Sequence, residues 1–235
     1  MRSKWVLVGL LSIASYSFAD SNKTINGVDF LQIGTPKSTI LSRARQLDGK
    51  QQATNEDEHS FYPPADPIIF EKIKLHNLEF DWVSVYFENN QLYRMEIFYS
   101  PWKINNEMGG FSFDQKIHHN FQNLMANLKN QYDFGNGTET EKFEGVGGDH
   151  ACDRPVIIRN KIWNIQSASH IIATYTETQM IEPTSYRVLS INDAATMGCQ
   201  YPAEASITIY DKNINNQVLL LNDQKRLEWE QNNPN

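Results

Sequence analysis

Two constellations in this 235-residue chain carry residue types that can do chemistry. The first is Asp114 with the adjacent His118 and His119. The surrounding residues repeat at helical spacing, so Asp114 and His118, four residues apart, share one helix face, a separation that can hold a metal ion. Adjacent histidines project in different directions and no H-E-x-x-H pattern accompanies them, so the pair reads first as a solvated helix face. The second constellation is Asp149-His150-Ala151-Cys152-Asp153, which follows Gly145, Gly147 and Gly148. A Cys152 thiolate served by His150 would be a nucleophile, and such a group is the basis for an exported hydrolase reading. No G-x-S-x-G elbow or phosphate-binding loop occurs. The acidic residues are scattered, so no glycosidase pair selects itself. The sequence thus names no catalytic residue, no metal ligand and no cofactor.

The redox setting weighs against a free Cys152. The chain opens MRSKWVLVGLLSIASYSFAD. Arg2 and Lys4 precede a short apolar run, and Ser17-Phe18-Ala19 places small residues where a signal peptidase needs them, so residues 1–19 read as a leader cut between Ala19 and Asp20. No later segment is long and apolar enough to span a bilayer. In the oxidising compartments outside the cytoplasm two cysteines are expected to pair, and Cys152 with Cys199 would close a loop worth on the order of 4 kcal/mol. Removing Arg2 and Lys4 with the leader takes the formal net charge from −7 to −9. That balance argues against nucleic acid or an anionic membrane as partner and suits a periplasmic or secreted protein with no membrane anchor after cleavage.

The elements that would position any site centre on Phe70–Tyr99. Two-residue turns at His76-Asn77 and Asn89-Asn90 fit this stretch, because asparagine tolerates the positive φ that tight hairpins need. They predict three antiparallel strands. Around the first turn Leu75 pairs with Leu78, Lys74 with Glu79, Ile73 with Phe80 and Lys72 with Asp81. Around the second, Glu88 pairs with Gln91, Tyr86 with Tyr93, Ser84 with Met95, Trp82 with Ile97 and Phe80 with Tyr99. Apart from Glu88–Gln91, the apolar pairs share one large face. The opposite face then carries Val83, Val85, Phe87, Leu92 and Phe98 beside Arg94 and Glu96. Five apolar residues on a face expected to be wet imply either a cover from elsewhere in the chain or a partner-binding surface.

The rest of the chain follows the same plan. Val28–Ile33 reads as an extended entry. Thr35 and Pro36 start a helix whose stripe is Ile40, Leu41, Ala44 and Leu47, and Gly49 stops it. After the meander, Trp102–Gly110 reads as a link between a first unit, 20–101, and a second, 102–235. Ser112 with Gln115 suggests a capping box for a longer helix bearing Ile117, Phe121, Leu124, Leu128 and Tyr132, flanked by Met125. Thr138–Asp153 reads as loop. Strands are expected at Val156–Ile158, Ile162–Ile165, His170–Thr178 and Ser185–Asn192, the last two forming a hairpin around Pro183, and at Ala203–Tyr210. A helix over Asn213–Gln231, with Val218, Leu221 and Leu227 inward, closes the chain. The expected class is α+β, with helices packed on antiparallel sheet, a helix-then-strands plan occurring twice, and a C-terminal helix.

Two fragments resemble a known plan. Phe30-x-x-Ile33-Gly34-Thr35-Pro36-Lys37-x-x-Ile40 is similar to the entry to the first helix, and Phe80-x-x-Val83-x-Val85-x-Phe87-x-Asn89-Asn90-x-Leu92 to the sheet hairpin, of the beta-lactamase inhibitory protein-like group, which includes the small outer-membrane assembly lipoproteins. The resemblance covers about 70 residues of the first unit. It implies helix-on-sheet modules that bind other proteins without catalysis. The chain departs from that plan in lacking a second helix before the meander, a lipoprotein cysteine and a cysteine pair in each half. The functional expectation is an exported non-enzymatic protein-binding module, with an inhibitor, immunity or envelope-associated role and another exported or envelope protein as partner. The alternative is an envelope hydrolase using the 149–153 loop or the His118 face.

Overall fold

A computed structural model describes residues 24–51, 67–100, 102–105, 110–144, 155–189, 193 and 205–232. The expected leader with its expected Ala19–Asp20 cleavage point, the 149–153 segment, Cys152 and Cys199 all lie outside the described residues.

The chain enters through a small hairpin, β1 (Gly27–Val28) and β2 (Leu31–Gln32), turned at Asp29, whose φ is 55°. Helix α1 (Lys37–Gln46) follows. Pro36, not Thr35, holds its cap position, with no side-chain cap bond. The helix start is fixed from outside. Gly34 N donates to Leu92 O (2.7 Å), Leu92 N to Thr35 O (2.9 Å) and Lys37 N to Asn90 O (2.8 Å). A neighbouring strand end therefore satisfies a donor that a cap residue would otherwise have to reach. Gly49 ends the helix by space rather than by dihedral. Asp48 takes the left-handed φ of 58°, while a Cβ on Gly49 would meet Ala44 O at 2.9 Å and Lys72 O at 3.3 Å.

After β3 (Lys50–Gln51) come β4 (Ile68–Leu75), β5 (Leu78–Phe80), β6 (Val83–Glu88) and β7 (Gln91–Tyr99). Both expected turns form, with φ of 50° and 64° at His76 and Asn77 and 50° and 62° at Asn89 and Asn90. Around the first, Leu75–Leu78, Lys74–Glu79 and Ile73–Phe80 pair as anticipated, and β5 ends before Asp81. Around the second, Glu88–Gln91 and Phe87–Leu92 pair, and then β7 carries one extra residue: Tyr86 faces Arg94, passing over Tyr93. This bulge shifts the rest of the ladder by one, to Val85–Met95, Ser84–Glu96 and Val83–Ile97. A slip of one exchanges faces. The two apolar sets expected on opposite faces therefore merge: Val83, Val85, Leu92, Met95 and Ile97 are wholly buried together.

The predicted link is instead a hairpin of β8 (Trp102–Asn105) and β9 (Gly110–Phe113), leading into α2 (Gln115–Gln131). Ser112 lies in β9; the cap is Asp114, whose Oδ1 accepts from Lys116 N (2.9 Å) and Ile117 N (3.1 Å). Phe121, Leu124, Met125 and Leu128 form the buried stripe, with Ile117 and Tyr132 partly buried beside it.

Thr138–Glu144, expected as loop, is β10, paired along its whole length with β11 (Val156–Asn164), one strand where two were anticipated. Strand β12 (Ile171–Ile181) is longer than expected, and its return is a tight turn closed by Glu182 N to Arg187 O (3.0 Å) and Leu189 N to Met180 O (2.8 Å). Then come β13 (Ala205–Asp211) and α3 (Lys212–Asn232). In α3 Val218 is inward, but Leu221 and Leu227 are exposed, and Asn215 and Asn222 are buried instead.

The protein is α+β. One antiparallel sheet runs in the order β10-β11-β12-β13-β7-β6-β4-β3, with β5 on β4. It crosses the predicted boundary at 101/102 without a break, because β13 pairs with β7 from Ala205–Tyr99 to Tyr210–Arg94. One core lies between α1, α2 and a single sheet face, drawing Ile40, Ala44, Phe121 and Leu124 onto Val85, Ile97, Ile207 and Ile209. Each of these side chains other than Ala44 contributes roughly 1.5–3 kcal/mol by leaving water. The opposite face holds α3. No helix among the described residues is long and apolar enough to cross a membrane.

Candidate binding surface

The seven residues predicted to form a contact face separate. Val83, Val85 and Leu92 are wholly buried in the core, and Phe87 packs against it under Lys37, whose Nζ lies 5.6 Å from the ring centroid. They are core, not contact surface, because the Tyr93 bulge rotates Arg94, Glu96 and Phe98 onto the other side of the sheet. That outer face lies away from α1 and α2.

Register builds it in transverse rows. One row runs Tyr86, Arg94, Tyr210, Ile172, and the next Ser84, Glu96, Thr208, Thr174, Asn164. A third carries Phe98, Ser206, Thr176, Ile162 and Thr138, none of them buried. Trp82 extends this third row, since Phe98 N donates to Trp82 O (3.3 Å). Trp82 is 45% exposed and Phe98 39%. The two aromatics flank a cleft of about 190 Å³ lined also by Phe80, Tyr99 and Ile117, with Asp81 and Ser100. Sequence reasoning placed Trp82 on an apolar buried face. Its signal was available only once the bulge was known.

The Tyr86 and Arg94 end of the first row lies under α3. The Arg94 guanidinium sits between the rings of Tyr86 and Tyr210, 5.6 and 5.4 Å from their centroids. Its Nε donates to Glu96 (3.1 Å), which also accepts from Tyr86 OH (3.1 Å), and its Nη1 donates to Asn215 Oδ1 of α3 (3.1 Å). Burial, reinforced by the Glu96 charge, raises the Tyr86 phenol well above the ordinary tyrosine range. Burial pushes Tyr93, beside it at 6.4 Å between ring centroids, up to about 12.

The histidine constellation opens differently from the metal reading. Asp114 is occupied as a helix cap. His118 turns inward: its Nδ1 meets the Tyr99 hydroxyl and its Nε2 meets Gln122 Nε2 at 2.8 Å, while His119 is exposed. Burial, with His119 adding to it, holds His118 below the ordinary histidine value. Tyr99 stacks on Phe121 at 4.4 Å between ring centroids, so this chain of contacts fastens α2 to β7. Among the described residues no group of three or more His, Cys, Asp or Glu side chains is arranged to hold a metal ion.

Fold and surface define a class only at this level: an antiparallel sheet backed by two helices on one face and partly covered by a third on the other. No family model matches the chain, and no curated protein and no solved structure matches it either.

Proposed function

We propose that the chain is an exported, non-enzymatic binding module that grips another exported or envelope protein with the outer face of its sheet. The observation that carries this reading is the exposure of Trp82 and Phe98, side by side at the end of an unburied row that carries Ser206, Thr176, Ile162 and Thr138. Large aromatics on a rigid, strand-built platform are the residues that most often dominate protein interfaces. The leader and the acidic balance support export and a partner that is neither nucleic acid nor lipid. The resemblance to the beta-lactamase inhibitory protein-like group supports binding over catalysis.

A tandem plan belongs to the same reading. Each unit, 20–101 and 102–235, would contribute a helix followed by a meander, and the last strands of the two, β7 and β13, meet at the middle of the sheet. That arrangement supports two similar halves joined edge to edge to make one wide face.

The test is capture of a partner by the mature, oxidised chain from its own envelope or secreted fraction, scored by mass spectrometry. One dominant stoichiometric partner is expected, with retention falling at least tenfold in a Trp82→Ala/Phe98→Ala variant of unchanged thermal stability. A partner held equally by that variant moves the contact elsewhere. Failure to capture any partner, even with gentle crosslinking, removes the reading.

A further inference from the structure

We propose that α3 is a strap, a helix that leaves the outer sheet face as a unit and uncovers Tyr86, Tyr93 and Arg94 for the partner; this rests on the binding role proposed above. Helices settled permanently on a sheet bury an apolar stripe and leave polar residues outside. The stripe of α3 is close to the reverse. Its buried residues are Asn215, Val218 and Asn222, with Ile214 and Leu219 partly buried, whereas Leu220, Leu221 and Leu227 are 64%, 50% and 48% exposed. The Asn222 Nδ2 group is buried with no hydrogen-bond partner among the described residues, which costs free energy in the docked position.

Departure leaves little behind unsatisfied. The Arg94 guanidinium keeps Glu96 and the two tyrosine rings, and loses the Asn215 bond. The helix keeps its own N-cap, since Asp211 Oδ1 accepts from Asn213 N (2.9 Å) and Ile214 N (3.0 Å). What is uncovered is two tyrosines and an arginine on rigid strands, the side-chain types richest in binding energy. They lie on the same face as Trp82 and Phe98, two rows away, so release of α3 would extend the aromatic contact surface across β6 and β7.

Native-state hydrogen exchange of the full oxidised chain tests this. Peptides within 212–232 are expected to exchange at least tenfold faster than peptides within 91–99 and 205–211. Val218→Asn should accelerate α3 further and leave those strands unchanged. Exchange of α3 less than tenfold faster than β7, or acceleration of α3 and β7 together by Val218→Asn, makes the helix part of one cooperative unit and overturns the proposal. The measurement needs no partner: a strap that opens in a protein that captures nothing sinks the binding role alone, and a captured partner on a helix that never opens sinks the strap alone.

Discussion

His118 shows how a residue type that suggests chemistry is put to another use. The sequence places it one helical turn from Asp114, and the fold spends Asp114 on the helix N-terminus and turns His118 toward Tyr99. Its inward position follows from α2 burying Phe121, Leu124 and Leu128 on the adjoining strip of the helix. Burial depresses its folded-state value below the ordinary 6.5, so the unfolded chain takes up the proton first as pH falls. The stability it contributes is present above about pH 6.5 and is lost as the pH drops through the folded value. The melting temperature is expected to fall between pH 7.5 and pH 5, and to fall less steeply in His118→Gln. An unchanged slope in that variant would assign the effect to the other histidines.

At the scale of elements, the starts of α1 and α2 were misplaced from sequence, for different reasons. Ser112 and Gln115 have the spacing of a capping box, but the β8–β9 hairpin claims Ser112 and moves the helix start to Asp114. Asp114→Ala is therefore expected to lower stability by about 1 kcal/mol in chemical denaturation, and Ser112→Ala to leave it nearly unchanged; the opposite ranking would restore the sequence reading. The α1 start is set by Leu92 and Asn90, two positions that sit about 55 residues downstream and that local sequence cannot reveal. The Tyr93 bulge has a sharper consequence: Met95, expected beside Ser84 and Tyr93, packs with Val85 and is wholly buried. Met95→Ala should cost about 2–5 kcal/mol by cavity formation, whereas Phe98→Ala, on the outer face, should leave the unfolding midpoint close to that of the parent.

Across the whole molecule the sheet argues for one folding unit. The two units read from sequence share the β7–β13 ladder and a common core that draws side chains from α1 and α2 onto the same strands. Calorimetry is expected to show a single transition whose calorimetric and van't Hoff enthalpies agree. Two resolved transitions would mean that the units at 20–101 and 102–235 melt independently despite the shared sheet.

The sequence by itself determined what local physics can determine. His76-Asn77 and Asn89-Asn90 set two tight turns, because asparagine accepts positive φ with less strain than most residues. The spacing of Phe121, Leu124 and Leu128 set a buried helix face, and alternation set the α+β class. Tertiary structure decided which face each strand turned inward. A single extra residue at Tyr93 reversed that choice past the bulge, and nothing local to the sequence distinguishes a bulge from a continuous strand when the residues on both faces are apolar. It also decided that Leu220, Leu221 and Leu227 of α3 would stay outside, since the shape and polarity of the sheet beneath, with Arg94 fixed between Tyr86 and Tyr210, select which side of that helix can dock.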